Sequence, residues 1–180
     1  MAKQLSDTGN VQPCLWITSG VSGSGKTTGS EQIVQQNGAI RIRADVERKR
    51  LAELKPVDRL THNTEGMGML YSDEMNAKTY QRLAELAEQM IRGGTSVIVD
   101  ATFLIKRQRN AFADLAHRLK APFHILVFQA DPEVLRQRIT NRMAENKDAS
   151  DADLAVLESQ LKNQRHLDAD EWKFATLYDS

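Results

Sequence analysis

Apolar positions fall along the chain in two alternating patterns. Short, mostly apolar runs predict buried strands at Cys14–Thr18, Ala39–Arg43, Ser96–Asp100, Phe123–Phe128 and Phe174–Tyr178. Between them apolar residues recur at helical spacing, predicting helices over Lys26–Gln36, Val46–Leu54, Glu74–Ile91, Lys106–Leu119, Pro132–Ala144 and Asp151–Arg165. Tyr80, Leu83, Ala84, Ala87, Met90 and Ile91 share one helix face, and Phe112, Leu115, Ala116 and Leu119 share another. Stop signals stand at Asn37-Gly38 and Gly93-Gly94, Asp131 caps a helix that opens on Pro132, and Ser150 with Asp153 has capping-box spacing. Strands separated by helices predict an α/β fold, a parallel sheet with helices on both faces, whose ligands bind at the carboxyl ends of the strands.

The loop after the first strand reads Gly20-Val21-Ser22-Gly23-Ser24-Gly25-Lys26-Thr27 and fits the phosphate-binding pattern G-x-x-x-x-G-K-[ST] in full. Its glycines allow a tight backbone turn, and successive N–H groups then converge on phosphate oxygens at a helix N-terminus. Lys26 is placed to reach the terminal phosphates and Thr27 to ligate magnesium, and Thr28 joins the loop residues as a candidate nucleotide contact. ATP, or GTP in its place, with Mg2+ is the implied ligand.

Two further strands end in acids. Asp45 follows Arg41-Ile42-Arg43 and is a candidate base for an acceptor hydroxyl; its alternative role is to cap the next helix. Arg43 is placed to bind an anionic acceptor or steady Asp45, and Arg48 to face the site, whereas Lys49 and Arg50 read as a solvated face. Asp100 closes Val97-Ile98-Val99 and is a candidate magnesium ligand. Arg107 and Arg109 fit either acceptor phosphate or a helix surface. Arg138 and Arg142 share a helix face and are candidates for a lid over the transferring phosphoryl group; a merely solvated face is the alternative.

The composition narrows the class. A length of 180 residues fits one domain over 13–180 behind a flexible polar arm at 1–12. Basic and acidic residues balance at 24 each, which argues against bulk attraction to nucleic acid or anionic membrane and for a small-molecule acceptor. Cys14 is the single cysteine, which suits a cytoplasmic protein and excludes an internal disulfide. No apolar run is long enough to span a bilayer.

As a set, GVSGSGKTT (20–28), RIRAD (41–45), VIVDATF (97–103) and LRQRITNR (135–142) resemble the zeta-toxin-like and polynucleotide-kinase-like branch of P-loop kinases. Residues 15–165 are similar to an ATP-binding module found alone in bacteria or fused behind an aminoglycoside-phosphotransferase-like domain. The resemblance implies a three-layer α/β/α core with a five-stranded sheet in the order 2-3-1-4-5. It also implies acceptor-binding elements in Pro56–Tyr80, with Tyr71, Glu74 and Tyr80 as candidate contacts. Hydrolysing motor ATPases with this loop commonly carry Asp-Glu at the end of the third strand. Here Ala101 follows Asp100, which favours transfer to a substrate over hydrolysis. The expected function is a small kinase acting on a hydroxyl of a small molecule or nucleotide sugar. The alternatives are a polynucleotide 5′-hydroxyl kinase and a nucleotide-dependent binding switch.

Overall fold

The computed structural model describes residues 12–54, 69–145 and 152–179. The expected arm at 1–12 and the cap at Ser150 lie almost wholly outside them, as does most of Pro56–Tyr80 before Met69. Five strands, β1 (Leu15–Ser19), β2 (Ile40–Arg43), β3 (Val97–Asp100), β4 (Phe123–Gln129) and β5 (Ala175–Asp179), form a parallel sheet in the order β2-β3-β1-β4-β5. Among the described residues six helices accompany them: α1 (Lys26–Asn37), α2 (Ala44–Leu51), α3 (Asp73–Arg92), α4 (Lys106–Leu119), α5 (Pro132–Glu145) and α6 (Leu154–Asn163).

Burial explains why the central strands are so apolar. β1 lies between β3 and β4, with Leu15 opposite both Val97 and Phe123, and every residue of β3 is buried. Side chains of α3 (Leu83, Ala87, Ile91) and α4 (Phe112, Leu115, Ala116) pack with Leu15, Ile17, Val97, Val99, Ile125 and Val127 into the main core. A second cluster of Val21, Leu135, Ile139 and Leu157 joins the loop after β1 to α5 and α6. Burying a Leu or Ile in such clusters contributes about 1.5–3 kcal/mol each.

Helix ends follow the predicted chemistry at several points. Gly38 takes a left-handed φ of 58° after α1, and Asp131 Oδ1 accepts the Glu133 amide at 2.8 Å where α5 opens. Most boundaries shift by a residue, and three differ for a visible reason. α2 begins at Ala44 directly from β2 and ends where Glu53 adopts a left-handed φ of 58°. Asp45 is therefore inside the first turn rather than a cap. α6 begins at Leu154, and Asp153 is itself the cap, accepting the Val156 amide at 2.8 Å. β5 begins one residue later than expected, because Glu171–Phe174 winds into a 3-10 turn.

Lys49 corrects the reading of a solvated face, since it is only 1% exposed. α2 packs against α3, so polar side chains on α2 meet a neighbouring helix rather than water. Arg50 does reach the surface, where it pairs with Glu47.

Candidate active site

The site grows from the loop between β1 and α1. Gly20 has φ 153°, and an added Cβ there would collide with the Phe128 carbonyl. Gly25 starts α1 in a left-handed conformation with φ 85°. These two positions require glycine, the backbone freedom that a tight phosphate-binding turn needs. The main chain is steadied from the residues just after β3: Gly20 N–H donates to Thr102 O at 2.9 Å, and Thr18 Oγ1 donates to Ala101 O at 2.7 Å.

At the mouth of the loop the Thr27 hydroxyl donates to Asp100 Oδ2 at 2.7 Å, joining two predicted ligands that are far apart in sequence. Lys26 Nζ donates to Val21 O at 2.7 Å. Burial pushes the Lys26 ammonium down to about 8, against the pull of Asp100 and Asp45, with Arg142 adding to the push. Burial also raises Asp100 above the usual carboxylate range, while Lys26 and Thr27 hold it down and Asp45 lifts it further. Lys26, Asp45, Asp100 and Arg142 thus lie within electrostatic reach of one another.

Asp45 is held by a fork. Arg43 Nε and Nη2 donate to its two oxygens at 3.1 and 2.6 Å, and the Val46 amide donates to Oδ1 at 2.8 Å. A bidentate guanidinium fixes a carboxylate's direction as well as its charge.

A cavity of about 1510 Å3 runs from the loop along the carboxyl ends of the strands. Ligand pockets commonly measure about 300–1,000 Å3, so there is room for two reactants side by side. Ser22, Gly23, Gly25, Lys26, Thr27 and Thr28 form its loop wall, while Gly20, Val21 and Ser24 shape the turn without lining it. Arg43, Asp45, Arg48, Tyr71, Asp100, Arg107, Arg138 and Arg142 line it as well. Arg138 Nη1 donates to Gly23 O at 3.2 Å, and Arg142 Nη2 donates to Ala152 O at 2.9 Å, so both lean toward the loop and its cover.

Arg48 lies over the Tyr71 ring at 4.9 Å and donates from Nη2 to Asn76 Oδ1 at 3.0 Å. Tyr80 also reaches the cavity, but its hydroxyl accepts the Phe103 amide at 3.0 Å and meets Thr102, so it is a structural link.

Two expectations fail. Glu74 is a surface residue, 77% exposed in its side chain and paired with Lys78 one turn on. Arg109 neither binds an acceptor nor covers a helix surface. It is 1% exposed and forks onto Glu171 at 2.6 and 3.0 Å, with Phe103 O accepting at 3.0 Å.

Other lining residues carried no signal in the sequence. Gln160 Oε1 on α6 accepts the Ser22 amide at 2.7 Å, across 138 positions of chain. Phe128 and Tyr178 stack at 5.1 Å, with Tyr178 on the far edge of the sheet, and Asn76 and Arg165 join the wall. Glutamine, asparagine and tyrosine at isolated positions have no spacing pattern, and only the fold brings them together.

A family model described as AAA domain matches residues 15–167. The chain belongs to the AAA domain family. Among curated proteins none matches it. Among solved structures it is similar to a sugar kinase from Janibacter sp. HTCC2649, at 23% identity and a TM-score of 0.65 over 93% of this chain and 85% of that one. It is similar to a gluconokinase from Sinorhizobium meliloti 1021, at 18% identity and a TM-score of 0.62 over 93% and 83%. It is also similar to the Mycobacterium tuberculosis APS kinase in complex with AMPPNP and APS, at 17% identity and a TM-score of 0.56 over 76% and 73%. The fold, with its sheet order β2-β3-β1-β4-β5, is that of the P-loop kinases.

Proposed function

We propose that the chain is an ATP-dependent kinase that moves the γ-phosphoryl group of ATP to a hydroxyl of a small molecule or nucleotide sugar. The observation that carries this reading is the position of Asp45. It lines the same cavity as Lys26 and Asp100 and is close enough to affect the proton affinity of both. A carboxylate that faces bound phosphates and holds no cation weakens binding, and it becomes useful where a hydroxyl must lose its proton. The kinase fold shared with a sugar kinase and a gluconokinase supports the same reading. The motif resemblance to zeta-toxin-like and polynucleotide-kinase-like enzymes narrows it further, and the balanced charge favours a small acceptor over a polynucleotide.

Each residue then has a task. The N–H groups of the loop and α1 hold the phosphates, and Lys26 neutralises their terminal oxygens. The acceptor oxygen forms a bond to the γ-phosphorus as the bond from phosphorus to the bridging oxygen of ADP breaks. Asp45 takes the hydroxyl proton, held in direction by Arg43. Arg138 and Arg142 balance the charge on the transferring group. Thr27 and Asp100 fit magnesium: a hydroxyl and a carboxylate converge at 2.7 Å. Thr27 and Asp100 would be the protein groups that hold the ion, beside the phosphates bound at the loop. Bound magnesium supplies charge neutralisation between the phosphates.

Incubation with labelled ATP and a panel of sugars, sugar acids, nucleosides, nucleotide sugars and 5′-hydroxyl oligonucleotides identifies the acceptor. On it, Asp45→Asn keeps its affinity for Mg-ATP by isothermal titration and loses transfer by about a hundredfold or more. Undiminished transfer in that variant would rule out Asp45 as the base.

A further inference from the structure

Seven cationic side chains and three carboxylates line the cavity, in a chain whose basic and acidic residues balance. Lys26, Arg138 and Arg142 stand at the nucleotide end. Arg43 is neutralised by its fork onto Asp45. Arg48 is different. It is 9% exposed, its Nε has no hydrogen-bond partner, and among the described residues no carboxylate pairs with it. The neutral Asn76 amide oxygen and the face of Tyr71 are its recorded contacts, and neither cancels a charge. By contrast, the other deeply buried guanidinium, Arg109, is matched by Glu171 and by backbone carbonyls.

A buried cation without a counter-ion is costly, and packing alone favours an apolar side chain of the same length. Arg48 is nevertheless held in place by an aromatic face on one side and an amide on the other, on the wall of a cavity. Arg107, at the start of α4, adds an exposed guanidinium to the same wall with no partner among the described residues. Asp73 is the nearby acid of the lining, at the start of α3, and it forms no ion pair with either arginine. Asp45 precedes Arg48 by three positions on α2, so the two side chains rise from neighbouring points on one helix face, about 5–6 Å apart at Cβ.

We propose that the cavity wall formed by Arg48, Tyr71, Asn76 and Arg107 is a subsite for an acidic group of the acceptor, carboxylate or phosphate, about one helical turn from the hydroxyl that faces Asp45. The acceptor class is then a hydroxylated acid or a phosphorylated polyol rather than a neutral sugar. This assignment rests on the kinase reading for its geometry, because Asp45 locates the reacting hydroxyl. The charge argument at Arg48 stands without it.

The test uses the full chain saturated with Mg-AMPPNP, which fills the nucleotide end without transfer. Two pairs of probes are titrated calorimetrically: gluconate against sorbitol, and glycerol 3-phosphate against glycerol. The acidic member of at least one pair binds about tenfold or more tightly than its neutral partner, the usual range for a charge-assisted bond. The pair that shows it separates carboxylate from phosphate. Arg48→Met removes the discrimination, and its melting temperature without probe is unchanged or higher, as a purely structural arginine would not allow. Arg107→Gln, on the exposed side, reduces the discrimination several-fold and decides the matter if Arg48→Met does not fold. Equal binding within both pairs, absence of any probe binding, or full discrimination in the variants overturns the proposal. A transfer assay with the same probes keeps the two readings apart. Arg48-dependent binding of an acid that is never phosphorylated sinks the kinase reading and leaves the subsite.

Discussion

At the scale of single residues the site is a contest of buried charges. Lys26 and Asp100 are each pushed toward neutrality by burial and each held in its charged state partly by the other. Arg138 and Arg142 enter from α5, one bonded to the loop carbonyl of Gly23 and the other to Ala152. If they serve the transferring phosphoryl group, each contributes more to the transition state than to nucleotide binding. Replacing either with Ala then lowers kcat about a hundredfold, the scale of losing one such contact, with a smaller change in nucleotide affinity. Steady-state kinetics on a confirmed acceptor measures the split. Unchanged kcat in both variants returns them to a purely structural role.

At the scale of elements, the Arg109–Glu171 pair holds α4 to the 3-10 turn before β5 and so secures the edge strand that carries Tyr178. Removing one partner of a buried pair costs about 3–5 kcal/mol, because the other charge is left uncompensated. Glu171→Gln is therefore expected to destabilise the protein by about that much at pH 7 in urea unfolding. The pH dependence has a definite sign. Burial pushes the Glu171 carboxyl up, but Arg109 and the Asp168 amide outweigh it and bring it below its ordinary 4.5. A carboxylate lowered on folding stabilises fully above its unfolded pKa, and that stability is lost as pH falls through the folded value. The deficit of Glu171→Gln should thus be full at neutral pH and shrink below about pH 4.5. A deficit that stays constant into acid would remove the ion pair from the explanation.

At the scale of the whole molecule the nucleotide end joins parts that are distant in sequence. The loop follows β1, its acid comes from β3, its arginines from α5, and α6 closes over it through Gln160 on the Ser22 amide. A ligand bound there reports on the entire sheet. Mg-AMPPNP at a hundred times its Kd is expected to stabilise the fold by about 2.7 kcal/mol. For a chain of this size that raises Tm by about 5–10 °C. Lys26→Ala should retain its own melting transition and lose most of that rise. A full rise in Lys26→Ala, measured by scanning calorimetry, would separate nucleotide binding from the loop lysine.

The order of strands and helices, the glycine turn and the strand-end acids were legible because each is a local pattern. Apolar runs mark strands buried on both faces, and a loop that must pass close to a carbonyl at Gly20 admits only glycine. Asp45 and Asp100 could be placed near Lys26 because parallel strands open their carboxyl ends on one crevice. Tertiary structure alone decided which charges are buried and by what they are matched. Nothing local in the sequence fixes how deeply Lys49, Arg48 and Arg109 are buried on their helices. Their depth depends on α3 covering α2 and on the C-terminal turn closing over α4. Gln160 likewise meets Ser22 only because α6 packs its Leu157 beside Val21. A charge's worth depends on the dielectric around it and the partner opposite it, and both are set by segments that lie far away along the chain.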